Sequence, residues 1–139
     1  MKFCIGYQVE DERGQRFVEE LLAYKEHISE VYFSWDRLPS GRSNMSDELG
    51  FVHWEMQDIL IDDLRLLKEN GIGLNLLLNG NCYGGEAISN VLKNRVLSII
   101  EYLELMVGGV NSVTTTSPFI ASIIKETYPK IIVRASVNM

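Results

Sequence analysis

Arg134, Ser136 and Asn138 recur at a spacing of two in the last segment of the chain, with Val133, Ala135 and Val137 between them. In a β-strand that period puts the three polar side chains on one face and the apolar ones on the other. A guanidinium, a hydroxyl and an amide in a row offer donors and acceptors to a polar ligand. An edge strand with one solvated face would carry the same pattern. Asn75 and Asn79 also share a face, with Leu77 between them, and Asn81 follows in the turn. Amides at a strand end can bind polar groups, although Asn is also a common turn residue. Thr114-Thr115-Thr116-Ser117 leads into a segment opened by Pro118, where backbone N–H groups and hydroxyls can meet an anion. An ordinary helix cap reads the same way.

Other reactive side chains are less well supported. Cys82 would need a neighbouring base to act as a thiolate nucleophile, and His27 and His53 are the chain's histidines. His27 falls at the end of the first helix, where a cation suits the dipole. Neither histidine has a metal-ligand spacing. Asp11, Glu12 and Asp36 follow the first two strands, where acid–base work and simple solvated charge are both open. The loop from Asn81 to Gly85 is glycine-rich but lacks the ending of a P-loop and the spacing of a dinucleotide fingerprint.

Alternating strand and helix patterns must position these groups. Lys2–Tyr7 reads as a strand, and Gly14–Ile28 as a helix through Phe17, Val18, Leu21, Leu22 and Ile28. Glu30–Trp35 is a second strand, aromatic and β-branched. A long loop from Asp36 to Gly50 follows, rich in Ser, Gly and Asn. Trp54–Asn70 reads as a helix with Met56, Ile59, Leu60, Leu64 and Leu67 inward, and Asp58, Asp62, Asp63 and Lys68 toward water. Leu74–Leu78 is the third strand. The helix over Ala87–Val107 turns Ile88, Val91, Leu92, Val96, Ile99, Ile100 and Leu103 inward and stops at Gly108-Gly109. Val110–Thr115, a helix opened by Ser117-Pro118 and ended by Tyr128-Pro129, and a strand from Ile131 complete the series.

The order β-α-β-α-β-α-β-α-β dictates a parallel α/β sheet. Two architectures fit: about four βα units plus a fifth strand of a (β/α)8 TIM barrel, or a flavodoxin-like open sheet. The polar face of the last strand favours a barrel mouth. The expectation is one domain over residues 1–139, the N-terminal half of a barrel, with no helix covering the fifth strand.

The 139 residues are 46% hydrophobic and carry a formal charge of −6, which argues against general nucleic-acid or anionic-membrane binding. The start of the chain has no signal-peptide pattern, and the cysteines Cys4 and Cys82 form no disulfide framework. A reducing cytoplasm is the expected location.

The segment from Gly109-Val110-Asn111-Ser112 through Tyr128-Pro129-Lys130 to Arg134-Ala135-Ser136-Val137-Asn138 resembles a recurring stretch of the collagenase-like peptidases, the U-thirty-two family. Val31-Tyr32-Phe33, Gly71-Ile72-Gly73-Leu74-Asn75 and the loop Gly41-Arg42-Ser43-Asn44-Met45-Ser46 match it too. The resemblance implies a (β/α)8-type catalytic domain acting on peptide, or in some branches hydroxylating RNA bases or quinone rings. Arg134 stands where the family usually has histidine, and Asn138 where it has glutamine. The family's cysteine-bearing region, expected beyond the fifth strand, has no counterpart in Cys4 or Cys82.

The resulting expectation is a peptidase-like barrel half that binds a polar small molecule or peptide. Its ligand would meet Arg42, Asn44, Asn79, Asn81, Thr116, Arg134, Ser136 and Asn138. No catalytic role or cofactor is assigned to any residue. The alternative is a non-catalytic half-barrel that self-associates through its open edges, and a dimer or larger assembly is expected.

Overall fold

The computed structural model describes residues 1–35, 54–80, 83, 85 and 87–136. Five strands, β1 (Phe3–Gly6), β2 (Ile28–Ser34), β3 (Gly73–Leu78), β4 (Ser112–Thr115) and β5 (Ile132–Ala135), form one sheet. Every neighbouring pair is parallel and the spatial order is β1-β2-β3-β4-β5. Strands laid down in sequence order, each joined to the next by a right-handed crossover, put all connecting helices on one face. That is the arrangement of a barrel wall. A flavodoxin-like sheet would reverse direction after its first pair.

The helices are α1 (Phe17–Ala23), α2 (Trp54–Glu69), α3 (Asn90–Val107) and α4 (Pro118–Thr127). Their apolar stripes meet Val31, Phe33, Leu74, Leu76, Leu78 and Val113 in a single core. These strand residues share one face by register. The opposite face carries no helix among the described residues. It presents Glu30, Tyr32 and Ser34 from β2, Asn75 and Leu77 from β3, Ser112 and Thr114 from β4, and Arg134 from β5.

Several helix limits differ from the sequence reading. α1 ends early because Tyr24 leaves helical geometry, at φ −110° and ψ 20°. A 3-10 turn, Lys25–His27, then delivers Ile28 directly into β2. α3 begins at Asn90 because the Ser89 hydroxyl caps the Leu92 N–H. Ile88 precedes that cap and is 80% exposed, and Val91 also faces outward. Both depart from the expected inward stripe.

Asp63 departs furthest. Expected in water, it is fully buried on α2, where it accepts the Tyr7 hydroxyl at 2.8 Å and pairs with Arg16. Burial raises the Tyr7 phenol well above its ordinary pKa, and the nearby Arg16 charge opposes the shift. The helical period around Asp63 cannot report this, because its partners come from the loop after β1.

Gly108 and Gly109 end α3 as the sequence suggests, with φ of 92° and 93°. Lys68 donates to the Gly109 carbonyl at 2.6 Å, and the Arg65 guanidinium donates twice to Met106, at 3.0 and 2.8 Å. An L side chain at either glycine is strained by about 1–2 kcal/mol. Gly108→Ala is therefore expected to lower unfolding free energy by about that amount in urea titrations, and Gly108→Asn by less.

Candidate functional site

The helix-free face is held by one carboxylate. Glu30 lies mid-strand in β2, and its side chain is only 10% exposed. Its Oε1 accepts from Asn75 Nδ2 at 3.0 Å and from Arg134 Nη1 at 2.7 Å, while Oε2 accepts from Ser112 Oγ at 3.2 Å. Asn75 and the Thr114 hydroxyl exchange two further hydrogen bonds, at 2.9 and 3.1 Å. Four strands thus contribute to one polar network. A buried carboxylate is tolerated when its lone pairs are filled this way.

The pair also reports the shape of the sheet. Arg134 aligns through Thr114 and Leu77 with Ser34, which is four residues beyond Glu30. A flat sheet would separate the two Cα atoms by roughly 19 Å, from three strand spacings across and four residue rises along. Two side chains laid end to end do not span that distance. The 2.7 Å contact therefore requires the sheet to curl toward its polar face. Curling in that direction is what closing a barrel demands.

Of the residues expected to form the site, Arg134 is central, and its side chain is 45% exposed. Asn79 is buried at the C-terminal end of β3. Thr116 donates to the Gly80 carbonyl at 2.7 Å, tying the ends of β3 and β4 together. Ser136 extends the β5 pairing by donating its N–H to the Thr115 carbonyl at 2.9 Å. Asn79, Thr116 and Ser136 thus stand at adjacent strand ends. Arg42, Asn44, Asn81 and Asn138 lie outside the described residues, as do His53, Cys82 and Asp36.

Ser117 acts as a plain helix cap, accepting from the Ile120 N–H at 3.2 Å. Asp11 organises its own turn, accepting from the N–H groups of Arg13 and Gln15 at 2.8 Å each. Those bonds, chiefly the one from Gln15, lower its pKa. Cys4 is exposed and lies 3.6 Å from the Ser29 hydroxyl. His27 lines an apolar groove with Phe3, Phe17 and Tyr24 beside β1, away from the strand C-termini. Among the described residues no group of three His, Cys, Asp or Glu could hold a metal ion.

Glu30 and Ser112 are not evident as site residues in the sequence, and Thr114, expected in an anion-binding turn, instead bonds Asn75 within the sheet face. Their signal is the period-two series Glu30-Tyr32-Ser34 and Ser112-Thr114, the same signal that marks Arg134 and Ser136. Strands of four to seven residues leave little room for it to stand out from turn chemistry.

No helix among the described residues is long and apolar enough to cross a membrane. No family model matches the sequence, and no curated protein matches it. Among solved structures, the U32 peptidase Mk0906 is similar over 98% of this chain at a TM-score of 0.66 and 15% sequence identity. This chain covers 49% of that peptidase, so it spans about half the length of its structural relative. The fold of this chain, parallel βα units in one sheet, is accordingly similar to that of about half of the U32 peptidase Mk0906.

Proposed function

We propose that this chain forms half of a peptidase-like barrel and binds a polar, peptide-like ligand on the helix-free face of its sheet. The observation that carries the reading is the Glu30-centred network, which holds Arg134 at a half-exposed position on that face. Asn79, Thr116 and Ser136 at the neighbouring strand ends extend the ligand surface. Arg42, Asn44, Asn81 and Asn138 would complete it from the adjoining loops. The name of the structural relative supports peptide as the ligand class.

Binding and hydrolysis separate in one experiment. The chain is mixed with casein-derived peptides, and both saturable binding and new amino termini are measured. Binding is expected, and it should fall at least tenfold in Arg134→Ala and Asn79→Ala. Turnover that these substitutions abolish would make the chain an enzyme in its own right. Absence of both binding and turnover would end the proposal.

A second reading rests on the sheet edges. Phe3 on β1 is 53% exposed and Ile132 on β5 is 57% exposed, and neither strand has an outer partner among the described residues. Open edges of this kind invite association. Sedimentation should then report a dimer or larger species in a cytoplasm-like reducing buffer, and a monomer at high concentration would refute it.

A further inference from the structure

The helix-free face carries one positive and one negative strand residue, and the two are bonded to each other. By register the other described strand residues on it, such as Tyr32, Asn75, Leu77, Ser112 and Thr114, are uncharged. Arg134 would ordinarily advertise an anion site, because its fork of donors matches carboxylate and phosphate. Here one end of the fork is spent on Glu30 at 2.7 Å. Among the described residues Glu30 is the guanidinium's partner, which leaves the remaining N–H groups on the half-exposed side. The donors persist while the charge is cancelled.

We infer that Glu30 is a specificity-determining residue: it aims the free edge of Arg134 and neutralises it, so that the face selects an uncharged planar acceptor, such as a peptide-bond carbonyl, over a carboxylate or phosphate. This deepens the peptide-ligand reading above and rests on it. The physical cause is the near-fixed distance between the two charges. An anion docking on Arg134 lies within one side-chain length of the Glu30 carboxylate, which water scarcely reaches, so repulsion offsets much of the attraction. A neutral carbonyl meets the same donors without that opposition. Asn75 and Ser112 secure the arrangement, because they bind Oε1 and Oε2 of Glu30 respectively and so fix the carboxylate whose Oε1 meets Arg134. Lys125 lines a groove together with Arg134 but belongs to α4, on the helix-covered side of the sheet.

The test uses two probes of nearly equal size, N-acetylglycinamide and N-acetylglycine, at pH 7 and low salt. The Arg134 Nε–H resonance, assigned by its loss in Arg134→Lys, reports binding. In the native chain the amide is expected to shift this resonance at lower concentration than the acid. Glu30→Gln removes the charge but keeps an acceptor for Asn75 and Arg134 and can donate to the Ser112 hydroxyl, so the fold should persist. That variant is expected to bind N-acetylglycine on the order of tenfold more tightly than the native chain does. The double variant Glu30→Gln with Arg134→Gln, neutral again and followed through the backbone N–H resonance of residue 134, should lose this gain.

Native preference for the acid, or no gain in Glu30→Gln, would overturn the inference. If Glu30→Gln does not fold, Glu30→Asp shortens the carboxylate away from the guanidinium. It should then weaken discrimination against the acid, and unchanged discrimination would overturn the inference equally. If neither probe moves Arg134 in the native chain, the peptide-ligand reading fails. The gain expected in Glu30→Gln still judges the charge cancellation separately.

Discussion

Arg134→Ala is expected to abolish ligand binding on the sheet face and to lower stability by about 2–3 kcal/mol. Removing one member of a desolvated ion pair strands the other. Glu30 would keep Asn75 and Ser112 as donors but lose its countercharge while remaining buried. The figure sits below the usual range for buried pairs because the Arg134 side chain is 45% exposed, so water already shares in solvating the pair. Urea unfolding measures the stability term, and titration with casein-derived peptides measures the binding term. Arg134→Lys separates them. The ammonium keeps the charge for Glu30, and so most of the stability, but it lacks the planar fork, so binding should still fall. Unchanged binding in Arg134→Ala would remove the polar face from consideration as a site.

The second large effect belongs to the cluster at the end of β1. Arg16→Met is expected to cost about 2–3 kcal/mol, because Asp63 is fully buried and among the described residues would keep the Tyr7 hydroxyl, while the 44% exposure of the Arg16 side chain lets water share in solvating the pair. This cluster fixes the loop that leaves β1. The loop is further held by an antiparallel backbone pairing of Glu10 with Arg16 and by the Phe17 N–H donating to the Val9 carbonyl at 3.1 Å. The combined variant Arg16→Met, Asp63→Leu, Tyr7→Phe should recover a large part of the loss, since no buried charge is then left unpaired. Chemical denaturation of the two variants side by side checks both statements. A loss in Arg16→Met under 1 kcal/mol would mean that water reaches Asp63.

Much of the fold was legible in the chain because the signals are local. Alternation of strand and helix patterns, the Gly108-Gly109 stop and the Ser117-Pro118 start depend on residues within a few positions of one another, and the structure has them where expected. The site was legible only as a face. Arg134 and Ser136 stood out by period, while Glu30 passed as an ordinary strand residue because its partners lie 45, 82 and 104 positions away. Asp63 was misread for the same reason: on helix α2 its neighbours look solvated, and the groups that bury it come from another element.

By itself, then, the sequence determined a parallel α/β chain of βα units with a strand that is polar on one side, since hydrophobic period and turn chemistry are short-range properties. Tertiary structure alone decided the strand order β1-β2-β3-β4-β5, the placement of the described helices on one face, and the curl that lets Arg134 reach Glu30. Those features arise from pairing between distant segments, whose register is set by burial of the helix-covered face and by the one carboxylate that four strands share.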